Sequence, residues 1–343
     1  MLISHSFPSY DKNVIDKAYE ALQNGEFSRR GITLEAEKRF AQFASTKYSK
    51  LMSSGFVALQ SALIAIGVTD KKVVTIPNIT CPSVYYAIKS IGAIPHVIDV
   101  DNEYPILSTK SLLEQSLTEY IIVPNMFGIK ANIDKVKFPN VKFIVDNAQS
   151  FSKQNETWAD IGVYSFSPTK MVTIGYAGAI VTNINEIYNR VTTFLDVEHS
   201  VMENNKKLKE TLPFRIHSDV SDFQSAMLIE QIKRYDEIIK YRGELSQIYD
   251  KYFEKSRLLS NVPFRYQIIL DKPNASKIGE LLQKEGITVV PLGSHLLSDL
   301  FEIEGNFDNS KWWKEHILSI PLHESISFEQ AESISRKICK VIE

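Results

Sequence analysis

The sequence predicts an α/β protein, a mostly parallel central sheet flanked by helices, followed by a smaller C-terminal α+β domain. Three observations predict it. Over about the first 185 residues, short apolar runs alternate with helix-like stretches, the pattern of parallel strands covered on both faces. From Asp222 the pattern changes to apolar residues at helical spacing. The 343 residues are 44% hydrophobic, enough apolar material for two packed domains.

In chain order, a short amphipathic helix ends near Gly25. The strand candidates are Val73–Ile76, Ile94–Val100, Tyr120–Pro124, Lys142–Asp146, Val163–Phe166 and Ala179–Thr182. Between the first two, Ser83 to Ser90 suits a helix, and Gly92 and Pro95 punctuate the return to strand. From Phe223 through Tyr235 to Tyr252 the helical spacing continues, implying one long helix or two with a bend. Beyond it, Phe264–Leu270 reads as a strand, Ala275–Glu285 as a helix, Ile287–Pro291 as a strand and Phe328–Ile342 as a closing helix. No repeat or low-complexity linker interrupts the chain, so the domain boundary is expected within the long helix, with residues 1–235 in the large domain and 236–343 in the small one.

Composition excludes several function classes. A net charge of −2 gives no overall positive field for nucleic acid or an anionic membrane. Cys81 and Cys339 match neither a disulfide framework nor a zinc pattern, which fits a reducing cytosol. The stretch Met1 to Pro8 lacks a basic region followed by an apolar one, and no run approaches the roughly 18 apolar residues of a membrane span. A cytoplasmic protein working on small molecules is expected. The seven histidines show no paired ligand spacing, so no metal site is expected.

Four segments carry candidate chemistry. Ser53-Ser54-Gly55-Phe56 is a small polar turn opening a helix, where free N–H groups and the helix dipole favour an anion such as phosphate; serine there is equally an ordinary cap. Phe143 to Asp146 is an apolar strand ending in a carboxylate, placed where open α/β sheets bind ligands; Asp146 either holds a proton on a pyridine nitrogen or caps the next helix. Val163 to Lys170 ends a strand with polar residues and a lysine; among apolar neighbours its amine would lose its proton readily and become nucleophilic, whereas most lysines are solvated surface charges. Ile76 to Ser83 is a strand-to-helix turn that either lines a ligand or is structural punctuation.

Taken in order, these segments resemble the DegT/StrS family of sugar-nucleotide aminotransferases, which share the fold of aspartate aminotransferase. The likeness runs from Phe7-Pro8 and Gly25 to Gly31, through Glu37, Phe40, Ser53-Ser54-Gly55, Ala58-Leu59, Pro77, Thr80, Gly92-Ala93, Pro95, Asp99 and Asp101. It continues through Pro124, Phe127-Gly128, Asp146, Ala148-Gln149, Ser165-Phe166, Pro168-Thr169-Lys170 and Gly178 to Ser319-Ile320-Pro321-Leu322-His323. No single motif decides; the ordered set is specific.

The resemblance implies pyridoxal 5'-phosphate (PLP) fold type I, with Lys170 as the Schiff-base lysine, Asp146 as partner of the pyridine nitrogen and Gln149 on the cofactor's phenolic oxygen. Ser165 and the backbone of Ser54-Gly55-Phe56 would hold the phosphate, and Ser28, Arg29 and Arg30 sit where relatives contact substrate. It also implies an amino-acid donor, L-glutamate, a keto-sugar nucleotide as acceptor, a role in surface polysaccharide such as O-antigen or in a glycosylated metabolite, and a homodimer with active sites at the interface.

Three departures stand out. Cys81 occupies the place of the aromatic residue that stacks on the ring, a smaller but polarizable contact. Phe56 replaces a hydroxyl residue after the glycine of the phosphate turn. His217 is the candidate substitute for the asparagine that a neighbouring subunit lends to the phosphate. The Cys81 and His217 departures leave open an aminotransferase acting on a non-nucleotide keto compound; separate alternatives are a PLP-binding regulator without turnover, which Lys170 does not by itself exclude, and a nucleotide-binding module without PLP. The family's dehydratase branch carries histidine at the lysine position, so Lys170 argues against it.

Overall fold

A computed structural model of the chain describes residues 3–25, 27, 31–115, 117–195, 216–291 and 296–342. The candidates Ser28, Arg29 and Arg30 lie outside the described residues. The large sheet has seven strands: β1 (Tyr48–Met52), β2 (Val73–Pro77), β3 (Ile94–Ile98), β4 (Tyr120–Pro124), β5 (Lys142–Asp146), β6 (Ile161–Ser165) and β7 (Gly178–Thr182), in the spatial order β1-β7-β6-β5-β4-β2-β3. Neighbouring pairs from β3 to β6 are parallel, while β7 runs antiparallel to both β6 and β1.

Alternation along each strand divides the core between two faces. Ile122 of β4 and Ile180 of β7 pack against Ala58, Leu63, Val84 and Val191 from the helices Gly55–Ala65, Pro82–Ser90 and Asn185–Leu195. On the other face, Tyr164, Ala179 and Val181 meet Ala36 and Phe40 of the helix Gly31–Phe43, and Ile121 and Val123 meet a third cluster with Phe143. Sheets buried on both faces read as near-continuous apolar runs, which is why these strands were legible.

Strand β1 was not among the candidates. It contains Ser49 and Lys50, both buried, and its apolar run is broken by them. Lys50 Nζ lies 3.5 Å from Glu37 Oε1, and Ser49 Oγ donates to the Glu37 carbonyl, so polar residues fill a core strand by being paired. At the other edge, β3 stops at Ile98 rather than Val100, because Asp99 turns away to accept from the N–H groups of Asn309 and Ser310 at the start of the helix Asp308–His316.

A second, antiparallel sheet has the order β10-β11-β9-β8, with β8 (Arg257–Leu258), β9 (Tyr266–Ile269), β10 (Val290–Pro291) and β11 (Ile317–Ile320). It packs on the helices Tyr235–Phe253, Ala275–Lys284 and Phe328–Ile342 through Leu245, Tyr249, Ile278 and Ile334. The long helical stretch is two helices, Asp222–Lys233 and Tyr235–Phe253, parted at Arg234. The strand expected over Ile287–Pro291 is confined to Val290–Pro291, and Ile287 pairs instead with Ile3 of the N-terminal segment. Among the described residues no helix is long and apolar enough to cross a membrane.

Phe40 is fully buried, edge-on to Tyr164 and Phe166 at 5.1 and 5.3 Å between ring centres. Phe40→Ala is expected to cost about 3–5 kcal/mol in denaturant unfolding, from lost burial and the cavity left behind.

Candidate active site

The strands that share one direction end on one edge of the large sheet. There Asp146 closes β5, Ser165 closes β6, Pro124 closes β4, and the chain leaves β1 into Ser53-Ser54-Gly55. Side chains at such carboxyl ends face a common crevice. A cavity of about 310 Å³ lies at this edge, lined by Ser54, Gly55, Phe56, Cys81, Asp146, Gln149, Ser165 and Lys170. Eight of the nine sequence candidates for cofactor contact are thus brought together.

The ninth, His217, is not. It is exposed, with only a distant approach of 3.9 Å to Asp219, and does not reach this cavity within its own chain. Its neighbour Ser218 is buried instead, with Oγ accepting from the Ser53 N–H at 2.8 Å and meeting Ser53 Oγ at the same distance. That contact secures the turn, and it turns the Ser53 hydroxyl towards Ser218.

The turn itself is built by close approach. Helix Gly55–Ala65 is capped by Ser54, whose Oγ accepts from the Val57 N–H at 3.2 Å. The N–H groups of Gly55 and Phe56, in the first turn, have no partner within the helix and are available to an anion. A Cβ on Gly55 would lie 2.8 Å from that of Ser165, and one on Gly178 would lie 2.4 Å from the Ser54 carbonyl oxygen. Glycine at both positions lets the turn, β6 and β7 meet.

Lys170 and Asp146 are both enclosed. Burial lowers the lysine's pKa, with the Asp146 charge opposing the shift. Burial raises the Asp146 pKa, partly offset by the Ala148 N–H that donates to Oδ1 at 2.9 Å and by the Lys170 charge. Desolvation therefore moves the two groups towards their neutral forms, and no hydrogen bond or ion pair joins them among the described residues. Lys170 Nζ stands 5.9 Å from the centre of the Phe264 ring.

Gln149 is oriented by its backbone neighbour. Its Oε1 accepts from the Phe127 N–H at 3.1 Å, which leaves the amide nitrogen as the group offered to the cavity. Phe127 does so from a left-handed conformation, φ 60°, an uncommon geometry for a bulky residue. Cys81 precedes the helix Pro82–Ser90, and its Sγ contacts Ser83 Oγ at 3.3 Å. Thr80, buried and lining the cavity, has a hydroxyl without a hydrogen-bond partner. Thr80 belongs to the turn Ile76 to Ser83, which the sequence left open between ligand lining and structural punctuation; nothing local signalled Ser218 or the role of Phe127 in holding Gln149.

An amine, a carboxylate, an amide donor, an orphaned hydroxyl and a helix N-terminus around one cavity form the donor set that a phosphorylated pyridine aldehyde requires, and the residues present fit it. Among the described residues no cluster of His, Cys, Asp or Glu could hold a metal ion.

A carboxyl whose pKa is higher in the folded than in the unfolded chain opposes folding once ionised. That penalty is absent below the ordinary aspartate pKa, grows as pH rises through it, and is complete above the raised folded-state value. Asp146→Asn is accordingly expected to raise the melting temperature of the cofactor-free protein at neutral pH, with the gain vanishing in acid. A lower melting temperature at neutral pH would contradict the burial argument.

Comparison with known proteins agrees with this architecture. GDP-perosamine synthase of Escherichia coli O157:H7 is 27% identical over 245 residues, 68% of this chain and 66% of that one. The UDP-4-amino-4,6-dideoxy-N-acetyl-beta-L-altrosamine transaminase of Campylobacter jejuni (strain 81-176) is 23% identical across 100% of this chain and 98% of its own. Among solved structures, Helicobacter pylori PseC, an aminotransferase involved in the biosynthesis of pseudoaminic acid, superposes with a TM-score of 0.87 at 18% identity, covering 100% of this chain and 99% of that chain. The PLP form of the putative sugar aminotransferase Spr1654 of Streptococcus pneumoniae gives 0.86 at 18% identity, over 100% of this chain and 99% of that one. The DegT/DnrJ/EryC1/StrS aminotransferase family model matches residues 8–339, so the chain belongs to that family and is a PLP-dependent aminotransferase of fold type I.

Proposed function

We propose that this enzyme moves an amino group from an amino acid, L-glutamate, to the keto carbon of a nucleotide-linked sugar. The observation that carries the chemistry is a desolvated amine and a desolvated carboxylate sharing one cavity beside a helix N-terminus. The acceptor class is supported by the GDP- and UDP-sugar enzymes among the relatives.

When bound, PLP supplies an aldehyde for an amine to attack and a pyridine ring that takes up the electrons released at the donor's α-carbon. In this reading Lys170 Nζ is the attacking amine and, once released, carries the proton away from that carbon. Its lowered pKa supports both roles, because only the free base can attack or accept a proton. Asp146 holds a proton on the ring nitrogen, and the Gln149 amide donates to the phenolic oxygen. The Gly55 and Phe56 N–H groups, with Ser54 and Ser165, bind the phosphate. Cys81 lies against the ring, and His217 reaches the phosphate of a partner's site.

The same reading carries a homodimer with active sites at its interface, a cytoplasmic location and a place in surface polysaccharide or O-antigen formation. Tyr176 supports the interface: it lines the cavity yet is 69% exposed, an apolar rim suited to cover by a second copy. Cys81 in place of a stacking aromatic supports, as a second reading, a keto acceptor that is not nucleotide-linked.

Lys170→Ala is expected to lower turnover by on the order of 10⁴-fold or more. Asp146→Asn should lower it by on the order of 100-fold, since it removes the negative charge that keeps the ring nitrogen protonated and the ring able to take up electrons. L-Glutamate added to the PLP-loaded protein should shift the cofactor's absorbance to that of the amine form. A panel of keto sugars with and without nucleotide then tests the acceptor: activity only on free keto acids would overturn the sugar assignment, and no spectral change would overturn the transaminase reading.

A further inference from the structure

Arg265 lies close to Lys170 but does not line the cavity, and no role described above uses it. It precedes β9 and is 5% exposed. Its Nη1 donates to the Phe264 carbonyl at 2.7 Å, and its Nη2 donates to the Thr169 carbonyl at 3.0 Å and to Ser6 Oγ. The guanidinium also lies 4.2 Å from the centre of the Phe264 ring, the ring that Lys170 Nζ approaches.

Among the described residues no carboxylate pairs with it. The acid that influences it, Glu324, is held by Arg242 through Nε–Oε1 at 2.8 Å and Nη2–Oε2 at 3.3 Å. His5 and His323 are kept neutral, chiefly by burial, with Arg265 adding to the effect on both. Burial pulls the guanidinium's own pKa down to about 9, which still leaves it charged at neutral pH. A buried cation without a carboxylate is costly, so packing alone is a poor account of it.

Its hydrogen bonds have a specific consequence. The peptide joining Thr169 to Lys170 is gripped on both sides, its carbonyl by Arg265 and its N–H by the Ser167 carbonyl at 2.9 Å. The root of the Lys170 side chain is thereby fixed.

We propose that Arg265 is a positioning residue for Lys170: it locks the Thr169–Lys170 peptide and sets a positive charge beside the ring that the amine approaches. The inference rests on the reading of Lys170 as the cofactor amine. Burial is the largest influence on that amine; of the titratable groups facing it, Asp146 favours its protonated form, as the Cys81 thiol would once ionised, and Arg265 opposes them. Between rounds of chemistry the lysine must shed a proton in an enclosed site, and Arg265 makes retention of that proton less favourable.

The test uses the cofactor-free, full-length protein, with Lys170 labelled by acetic anhydride across a pH series and quantified by peptide mass. Arg265→Gln and Arg265→His, both uncharged where the amine titrates, are expected to move the labelling midpoint upward by roughly half to one pH unit. Arg265→Lys keeps the charge and should leave the midpoint near that of the wild type. A wild-type midpoint in whichever neutral variant folds, or an equal shift in Arg265→Lys, overturns the proposal. A merely structural role would lower the melting temperature without moving the midpoint. Protection by PLP separates the two levels of the reading: if PLP shields a lysine other than Lys170 in the wild type, the site assignment fails, whereas an unmoved midpoint with Lys170 shielded defeats the Arg265 inference alone.

Discussion

An amine and a carboxylate are held out of water at the same edge of a parallel sheet, and much of the large unit serves to keep them there. Among the described residues neither group gains an ion-pair partner that would quench it: the Asp146 side chain accepts from the Ala148 N–H, and Lys170 faces an aromatic ring. Burying both costs stability, and the returns are an amine that sheds its proton more readily than a solvated lysine and a poorly solvated carboxyl group free to pair with a cation placed beside it. Stability given up in this way is characteristic of sites that must do chemistry.

The surrounding architecture obeys that constraint. At the cavity wall, Asn125 Nδ2 donates to Asn147 and Glu156, tying the ends of β4 and β5 together through a buried network that Lys130 joins at 3.1 Å from Glu156. In front, Gly178 and Gly55 let three chain segments approach more closely than any side chain would permit. From the segment just before β9, Arg265 and Phe264 close the lysine's side, and the N-terminal segment is stitched nearby through Ser6 to Arg265, His5 to Ser319 and Ser4 to His323. The segment leading into the small sheet therefore bears on Lys170 as well as on its own core.

The parallel strands were legible in the sequence because burial on both faces produces uninterrupted apolar runs, and the closing helix because its apolar spacing holds from Phe328 to Ile342. Strand β1 was not, since Lys50 and Ser49 satisfy themselves with a residue in another helix, a pairing that local pattern does not reveal. The candidate site came from the order of several weak motifs, and the segments that carry them converge on one cavity. The roles of Ser218, Phe127 and Arg265 were not legible for a common reason: each acts through a backbone group or hydroxyl on a contact distant in sequence, at separations of 165, 22 and 96 residues. His217 could be named from its segment, but within its own chain it points to solvent rather than the cavity.

The central claim is that one particular amine binds the cofactor. Borohydride reduction of the PLP-loaded protein, followed by proteolysis and mass mapping, tests it most directly. The account predicts a pyridoxyl group on the peptide containing Lys170 and on no other; a modification at a different lysine, or none at all, would contradict it.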